Sequence, residues 1–412
     1  MQLHINADRL WQNLMDIAQI GGTTRGGCNR QALTDLDIKG RTLFASWCTP
    51  CGFDITYDAV GNMFARMKGR DDTLPPLVIG SHLDTQPTGG KFDGVLGVLA
   101  GLEVMRVLSE NDLVPERPVE VACWMNEEGA RFAPAMMGSG VYSGMVGLEE
   151  IRASKDHDKV SVGEELDRHG YAGMPHPTDK IIHSYLELHI EQGPVLERED
   201  KTIGIVTGAQ GIRWYDISIS GQEVHAGPFP MAMRRDPVAA LPALLQGVRD
   251  IGTIDTHARA TIGQLNASPG SRNVVPGEVS LTVDLRHPNE DTLTEMHSSL
   301  EALLERLQRD LAELDIRSNL IWHSPVVAFD PTLIDAVRKG VAGHGYSHLD
   351  LVSGAGHDAL MVARKVPTTM IFIPCRDGLS HNEAEHTEPY QVEAGANVLL
   401  SAACNILGLS PT

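Results

Sequence analysis

Four apolar runs, each leading into a turn that carries histidine or acid, constrain this chain more than any other feature. Pro76-Leu77-Val78-Ile79 enters Gly80-Ser81-His82-Leu83-Asp84-Thr85, with Gly90-Lys91-Phe92-Asp93-Gly94 close behind. Pro118-Val119-Glu120-Val121-Ala122-Cys123-Trp124 ends in Met125-Asn126-Glu127-Glu128-Gly129. Tyr185-Leu186-Glu187-Leu188-His189-Ile190 runs into Glu191-Gln192-Gly193-Pro194, and Thr368-Thr369-Met370-Ile371-Phe372-Ile373-Pro374 is followed by Gly378-Leu379-Ser380-His381. Short continuous apolar runs bounded by turn residues mark strands buried on both faces of a parallel sheet. Ligands collect at the carboxyl ends of such strands, so the groups in these tails are expected at one crevice.

Imidazoles and carboxylates are common ligands of zinc-type ions. Asp84, two residues beyond His82, is placed to accept the other ring N–H of that histidine, which would fix its tautomer. Glu127 and Glu128 are adjacent and point in different directions, so one can hold a metal while the other faces the reacting water. His82, His189 and His381, with Asp93 and one of the two glutamates, make five donors. A single zinc needs three or four; five with one shared carboxylate suit a pair of divalent ions, leaving the other glutamate as general base. The competing readings of these segments are a turn with an incidental histidine, a solvated acidic turn, and a metal-binding scaffold without catalysis. The spare glutamate argues against the scaffold.

The chain has 412 residues, 42% of them hydrophobic, and a formal net charge of −20. That is ample for a large core, and the charge argues against nucleic acid or an anionic membrane as a general partner. Met1-Gln2-Leu3-His4-Ile5-Asn6 lacks the basic and apolar regions of a leader, and no apolar run is long enough to span a bilayer, so a cytoplasmic protein is expected. Six cysteines without a secretory leader are expected to be reduced thiols. Trp47-Cys48-Thr49-Pro50-Cys51 looks like a thioredoxin-type motif and defines a competing redox class. Such a motif has to open a helix, and here it closes one, so two incidental thiols are expected. Gly21-Gly22-Thr23-Thr24-Arg25-Gly26-Gly27 lacks a Gly-Lys-Ser/Thr ending and reads as a flexible connector rather than a phosphate loop or a cover over a substrate.

Phe53–Tyr57 and Asn62–Met67 read as a hairpin, Val95–Leu108 as an apolar helix, and 147–180 as helices with a surface excursion. After Thr202–Thr207 the order becomes strand (Trp214–Ser220), helix (from Asp236-Pro237), strand (Ala258–Leu265), strand (Val279–Leu285) and helix (Thr292–Leu314), which interrupts the run of βα units. The expected fold is α/β: a mixed, mostly parallel catalytic sheet formed by residues 1–210 and 326–412, with an inserted α+β, ferredoxin-like domain at 211–325.

Gly-Ser-His-Leu-Asp-Thr, Gly-x-x-Asp-Gly, Asn-Glu-Glu-Gly, His-Ile-Glu-Gln-Gly-Pro, His-Ala-Gly (His225 to Gly227), Arg-Asn-Val-Val-Pro (Arg272 to Pro276) and Asp-Leu-Arg (Asp284 to Arg286) together resemble one family over nearly the whole chain. It is the hydantoinase/carbamoylase amidase branch of the dinuclear aminoacylase and carboxypeptidase superfamily. The resemblance implies that Asp93 bridges two divalent ions per subunit (zinc, manganese, cobalt or nickel), with His82 and His189 completing one site and Glu128 and His381 the other. It implies Glu127 as general base, and His225, supplied by the partner subunit of a homodimer, as polariser of the scissile carbonyl. Asn273 and Arg286 would hold the substrate carboxylate, with Gln192 and Arg213 also in contact. The inserted domain would serve as lid and dimerisation domain. The implied reaction is cleavage of the ureido C–N bond of N-carbamoyl-L-amino acids, with allantoate amidohydrolase and β-ureidopropionase as the alternatives in the same branch.

Overall fold

The computed structural model describes residues 3–171 and 173–409. Met1 and Gln2, part of the segment read for a leader, and Ala172, within the 147–180 excursion, lie outside the described residues. The chain divides into two compact units, Met1–Thr207 with Ala328–Thr412, and Gly208–Val327.

The first unit is built on a mixed sheet. Its centre is four parallel strands, in spatial order Val119–Trp124, Leu77–His82, Ser184–Ile190 and Thr368–Ile373. Every residue of these four strands is buried, as expected of parallel strands covered on both faces. The hairpin Asp54–Tyr57 and Met63–Met67 pairs antiparallel onto one side, and Ile203–Ala209 runs antiparallel to Thr368–Ile373 on the other. Helix Val95–Glu110 is buried from Val95 to Leu108 and packs on the sheet with Pro389–Ile406. Its glycines let it lie close: a Cβ on Gly97 would meet the Leu188 carbonyl at 2.6 Å. Register sets the functional edge. His82 lies opposite Trp124, and Phe372 opposite His189, so the four carboxyl ends finish together.

The N-terminal glycine-rich segment differs from the flexible connector its composition suggests. Asn29 N–H donates to the Gly21 carbonyl, Thr23 N–H to Gly27, and Cys28 and Gly89 exchange backbone hydrogen bonds, so its own polar groups staple it to the loop before Asp93.

The second unit is an antiparallel sheet, in spatial order Asp315–Ser324, Gly211–Ser220, Glu278–His287 and Arg259–Ser268, with helices Leu241–Ile251 and Glu290–Asp310 against it. With its strands numbered along the chain the order is 4-1-3-2, the ferredoxin-like arrangement. Alternate residues Ile217, Ile219, Val279, Leu281 and Val283 meet Leu300 and Leu304 in its core. Asp315–Ser324 is an addition to the sequence reading. As an edge strand it leaves nearly every side chain exposed, so it carries no alternating apolar signal.

Candidate active site

The strand-end groups meet as two sets of donors sharing one carboxylate. Asp93 Oδ1 lies 3.5 Å from His82 Nε2 and 3.2 Å from His189 Nε2. Its other oxygen, Oδ2, lies 3.6 Å from His381 Nε2, which is 3.2 Å from Glu128 Oε2. Donor atoms of His82, Asp93 and His189 all fall within 4.8 Å of one another, and so do those of Asp93, Glu128 and His381. Both sets have the donor chemistry of a divalent-metal site.

Backbone carbonyls fix the two buried imidazoles. His82 Nδ1 lies 2.9 Å from the Asp84 carbonyl, and His189 Nδ1 lies 2.9 Å from the Ile190 carbonyl. With Nδ1 held against these carbonyls, Nε2 is the ring atom that each histidine turns toward Asp93. This corrects the atom expected of Asp84. Its carboxylate stands 3.9 Å from His82 Nδ1 and instead accepts the backbone N–H groups of Glu127 and Glu128, at 3.3 and 3.2 Å. The Asp84 carbonyl, rather than its side chain, is what meets the ring. The carboxylate thereby fastens the neighbouring strand end, where the paired glutamates sit.

Gly94 is required by the same packing. It has φ +69°, and a Cβ there would lie only 2.3 Å from Cε1 of the His82 ring. Its N–H donates to His189 Nε2 at 3.2 Å. Asn126, Gln192 and His381 also carry positive φ, of 54°, 56° and 54°. Backbone strain of this kind gathers where side chains must be aimed.

Charge is concentrated and buried. Burial opposes ionisation of Asp93, yet hydrogen bonds from His189 and His82 hold its carboxyl well below the usual range. Burial likewise opposes the His82 imidazolium, but Glu127, Asp93 and Asp84 together raise it well above an ordinary histidine. His381 is pushed up to about 9, first by its hydrogen bond with Glu128. Burial, reinforced by Asp358, Glu128 and Asp93, raises the Glu127 carboxyl well above its ordinary value, although the His82 charge opposes the shift. Glu127 Oε2 lies 3.4 Å from His82 Nε2. A raised carboxyl at such a place suits a group that must take up and release a proton.

A cavity of about 160 Å³ opens beside these groups, lined by Asp93, Glu127, Glu128, His189, Gln192 and His381 together with Ala135, Met136, Ala355, Gly356 and His357. Gln192 Nε2 donates to Asp93 Oδ2 at 2.7 Å, while its Oε1 has no hydrogen-bond partner. His357, just before the helix Asp358–Val362, is a residue that the sequence reading did not single out. Its ring centroid stands 4.6 Å from that of His189, its Nε2 lies 3.0 Å from Ser353 Oγ, and burial holds its pKa well below the ordinary value. Glu187, His189 and His357 form a third close group. There the Glu187 carboxylate is already engaged by Ser81 Oγ, Tyr185 OH and the Ala359 N–H.

The remaining predicted residues belong to the second unit. His225 is exposed and pairs with Val274 in a short antiparallel bridge between Val224–His225 and Val274–Val275, its Nδ1 accepting the Gly227 N–H at 3.0 Å. Asn273 lies beside it, its carbonyl accepting the Ala226 N–H. Arg213 is opposite Leu285, and Arg286 is opposite Ile212, so the two guanidiniums project from opposite faces of that sheet. Arg213 is buried on the helix side, with Nη2 donating to Glu290 and Thr294. Arg286 holds Asp284 through Nε and Nη2 on the face away from the helices.

Residues 78–405 match the model of peptidase family M20/M25/M40. Over 399 residues the chain is 47% identical to an N-carbamoyl-L-amino-acid amidohydrolase of Rhizobium meliloti, covering 97% of this chain and 96% of that protein. It is 32% identical to an allantoate amidohydrolase of Bacillus subtilis, covering 93% of each. A crystal structure of a hydantoinase/carbamoylase family amidase from Burkholderia multivorans matches at 48% identity with a TM-score of 0.93, over 100% of both chains. Among the described residues no helix is long and apolar enough to cross a membrane.

Proposed function

From the premise that this chain belongs to peptidase family M20/M25/M40, and within it to the hydantoinase/carbamoylase amidases, we propose that it is a metal-dependent amidohydrolase that cleaves N-carbamoyl-L-amino acids. The observation that carries the reading is the shared carboxylate: the two oxygens of Asp93 face different donor sets. His82, Asp93 and His189 would hold one divalent ion, and Asp93, Glu128 and His381 a second. Ions held there would polarise the scissile carbonyl and acidify the attacking water.

The chain's own residues supply the proton traffic and the grip. Glu127 takes a proton from the attacking water and returns it to the leaving nitrogen. Water oxygen joins the ureido carbon, the C–N bond breaks, and the carbamate released falls apart to ammonia and carbon dioxide. His225, itself exposed, would donate to the developing oxyanion in the active site of the other subunit of a homodimer. Arg286 would exchange Asp284 for the substrate carboxylate, with Asn273 beside it, since a guanidinium binds a carboxylate through two parallel hydrogen bonds. The unpartnered Oε1 of Gln192 supports a substrate contact at the cavity wall. Arg213 would act from the helix side, through a rearrangement of its Glu290 contact. The Gly208–Val327 unit would serve as lid and dimerisation domain. Six free thiols support a reducing, cytoplasmic setting.

The second reading, allantoate hydrolysis, has a relative at 32% identity against 47% for the carbamoyl amino acid enzyme. A panel of N-carbamoyl-L-amino acids, N-carbamoyl-β-alanine and allantoate, assayed with added zinc, manganese, cobalt or nickel, separates them. The expected outcome is highest kcat/KM on an N-carbamoyl-L-amino acid, about two ions per chain, and loss of activity on chelation. Preference for allantoate overturns the substrate, and a single tightly bound ion with full activity overturns Asp93 as a shared ligand.

A further inference from the structure

Asp93 belongs to no helix or strand, yet it is the residue both donor sets depend on. Something must hold it, and the contacts lead to Glu385. This carboxylate is buried, with only 4% of the residue exposed, and it lies outside both donor sets and the cavity wall. Its Oε1 accepts the backbone N–H groups of Phe92 and Asp93, at 2.9 and 3.1 Å. Its Oε2 lies 3.3 Å from Ser380 Oγ, and that hydroxyl donates to Asp93 Oδ2 at 2.7 Å. Glu385 therefore grips the Asp93 backbone directly, and its other oxygen lies against the hydroxyl that holds the Asp93 side chain. Ser380 adjoins His381, so the same residue connects the loop of the shared carboxylate to the loop of the last imidazole.

Gly90 shows that room is made for this carboxylate. A Cβ on Gly90 would lie only 2.1 Å from the Glu385 carboxyl carbon and from its Oε1. Gly27, in the N-terminal glycine-rich segment, is pressed on the same loop: a Cβ there would lie 2.6 Å from Glu383 Cγ. The strand-borne ligands His82 and His189 need no such tie, because the sheet holds them.

We propose that Glu385, inserted between the Phe92–Asp93 backbone and Ser380, is a positioning residue that sets the Asp93 carboxylate against the His381 loop and so builds the second donor set. The inference rests on the two-ion reading, and the wild-type protein tests that reading first. Metal-free protein is titrated with zinc or manganese alone, ions bound per chain and their affinities being read by calorimetry and elemental analysis. Wild type is expected to take two. Glu385→Gln keeps the size and one acceptor but loses the charge; it should keep the tighter ion and weaken the other about 10–100-fold, the usual effect of removing an outer partner of a ligand. Glu385→Ala should go further, and Gly90→Ala, which displaces the carboxylate from the opposite side, should reproduce the weakened ion in a chain that retains Glu385. At saturating metal the loss in Glu385→Gln should fall on kcat, with KM for the substrate unchanged. Two ions at wild-type affinity in folded Glu385→Gln and Gly90→Ala would overturn the proposal while leaving the two-ion site intact. A wild type that binds one ion overturns the two-ion reading and, with it, this role of Glu385.

Discussion

Glu127 and Gly94 show how much of this site depends on single atoms. Glu127→Gln preserves shape but cannot take a proton. Turnover should fall by about 10²–10⁴-fold, the usual contribution of a general base, with the ions still bound. Loss of metal instead would exchange the roles of Glu127 and Glu128. Gly94→Ala tests the packing rather than the chemistry. At φ +69° and ψ −50° an alanine is strained, as in the rare γ-turn, and the added methyl must also displace the His82 ring. The variant is expected to unfold at lower denaturant and to bind less metal; wild-type metal content would show that the ring has space to move. Residues at this scale were legible unevenly. His82, Asp93, Glu127, Glu128, His189 and His381 follow apolar runs and could be collected from sequence alone. Glu385 could not, because its hydrogen bonds join residues nearly three hundred positions apart and no local pattern records them.

At the scale of elements, the four buried parallel strands were readable because burial on both faces leaves an unbroken apolar run. The edge strand Asp315–Ser324 was not, because exposure removes the alternation that identifies a strand. Helix Asp35–Cys48 decides the Cys-x-x-Cys question. Cys48 is its last residue, and Cys51 follows in a single 3-10 turn. A thiolate is disfavoured at the negative end of a helix, and burial pushes the Cys48 thiol up to about 12. In native protein at neutral pH a thiol reagent should reach the partly exposed Cys51 and leave Cys48 unmodified until unfolding. The protein should fail to catalyse insulin reduction. Fast formation of a Cys48–Cys51 disulfide under mild oxidation would revive the redox class.

The molecule as a whole is where the role of His225 is tested. It is exposed on the Gly208–Val327 unit, while the donor sets belong to the other unit. If it serves the partner's active site, His225→Ala and Glu127→Gln are inactive for different reasons. A mixed dimer then contains one site with both groups intact. Mixing the two variants under subunit exchange should restore activity, up to roughly half of wild type per mixed dimer when sites act independently. No recovery despite exchange proven by mass spectrometry would assign His225 to its own chain or to no catalytic role.

The strand order also sets a timetable for synthesis. Thr368–Ile373 lies between Ser184–Ile190 and Ile203–Ala209, although it leaves the ribosome long after both. Until it arrives, the middle of the sheet is a gap with an apolar strand edge on each side, and His381 has not yet been made. A nascent or truncated chain that stops short of Thr368 therefore offers two unpaired edges to any neighbour, the situation that leads strands to aggregate. Translation has to pass Thr368–Ile373, well beyond the strands on either side of it, before this part of the sheet can close.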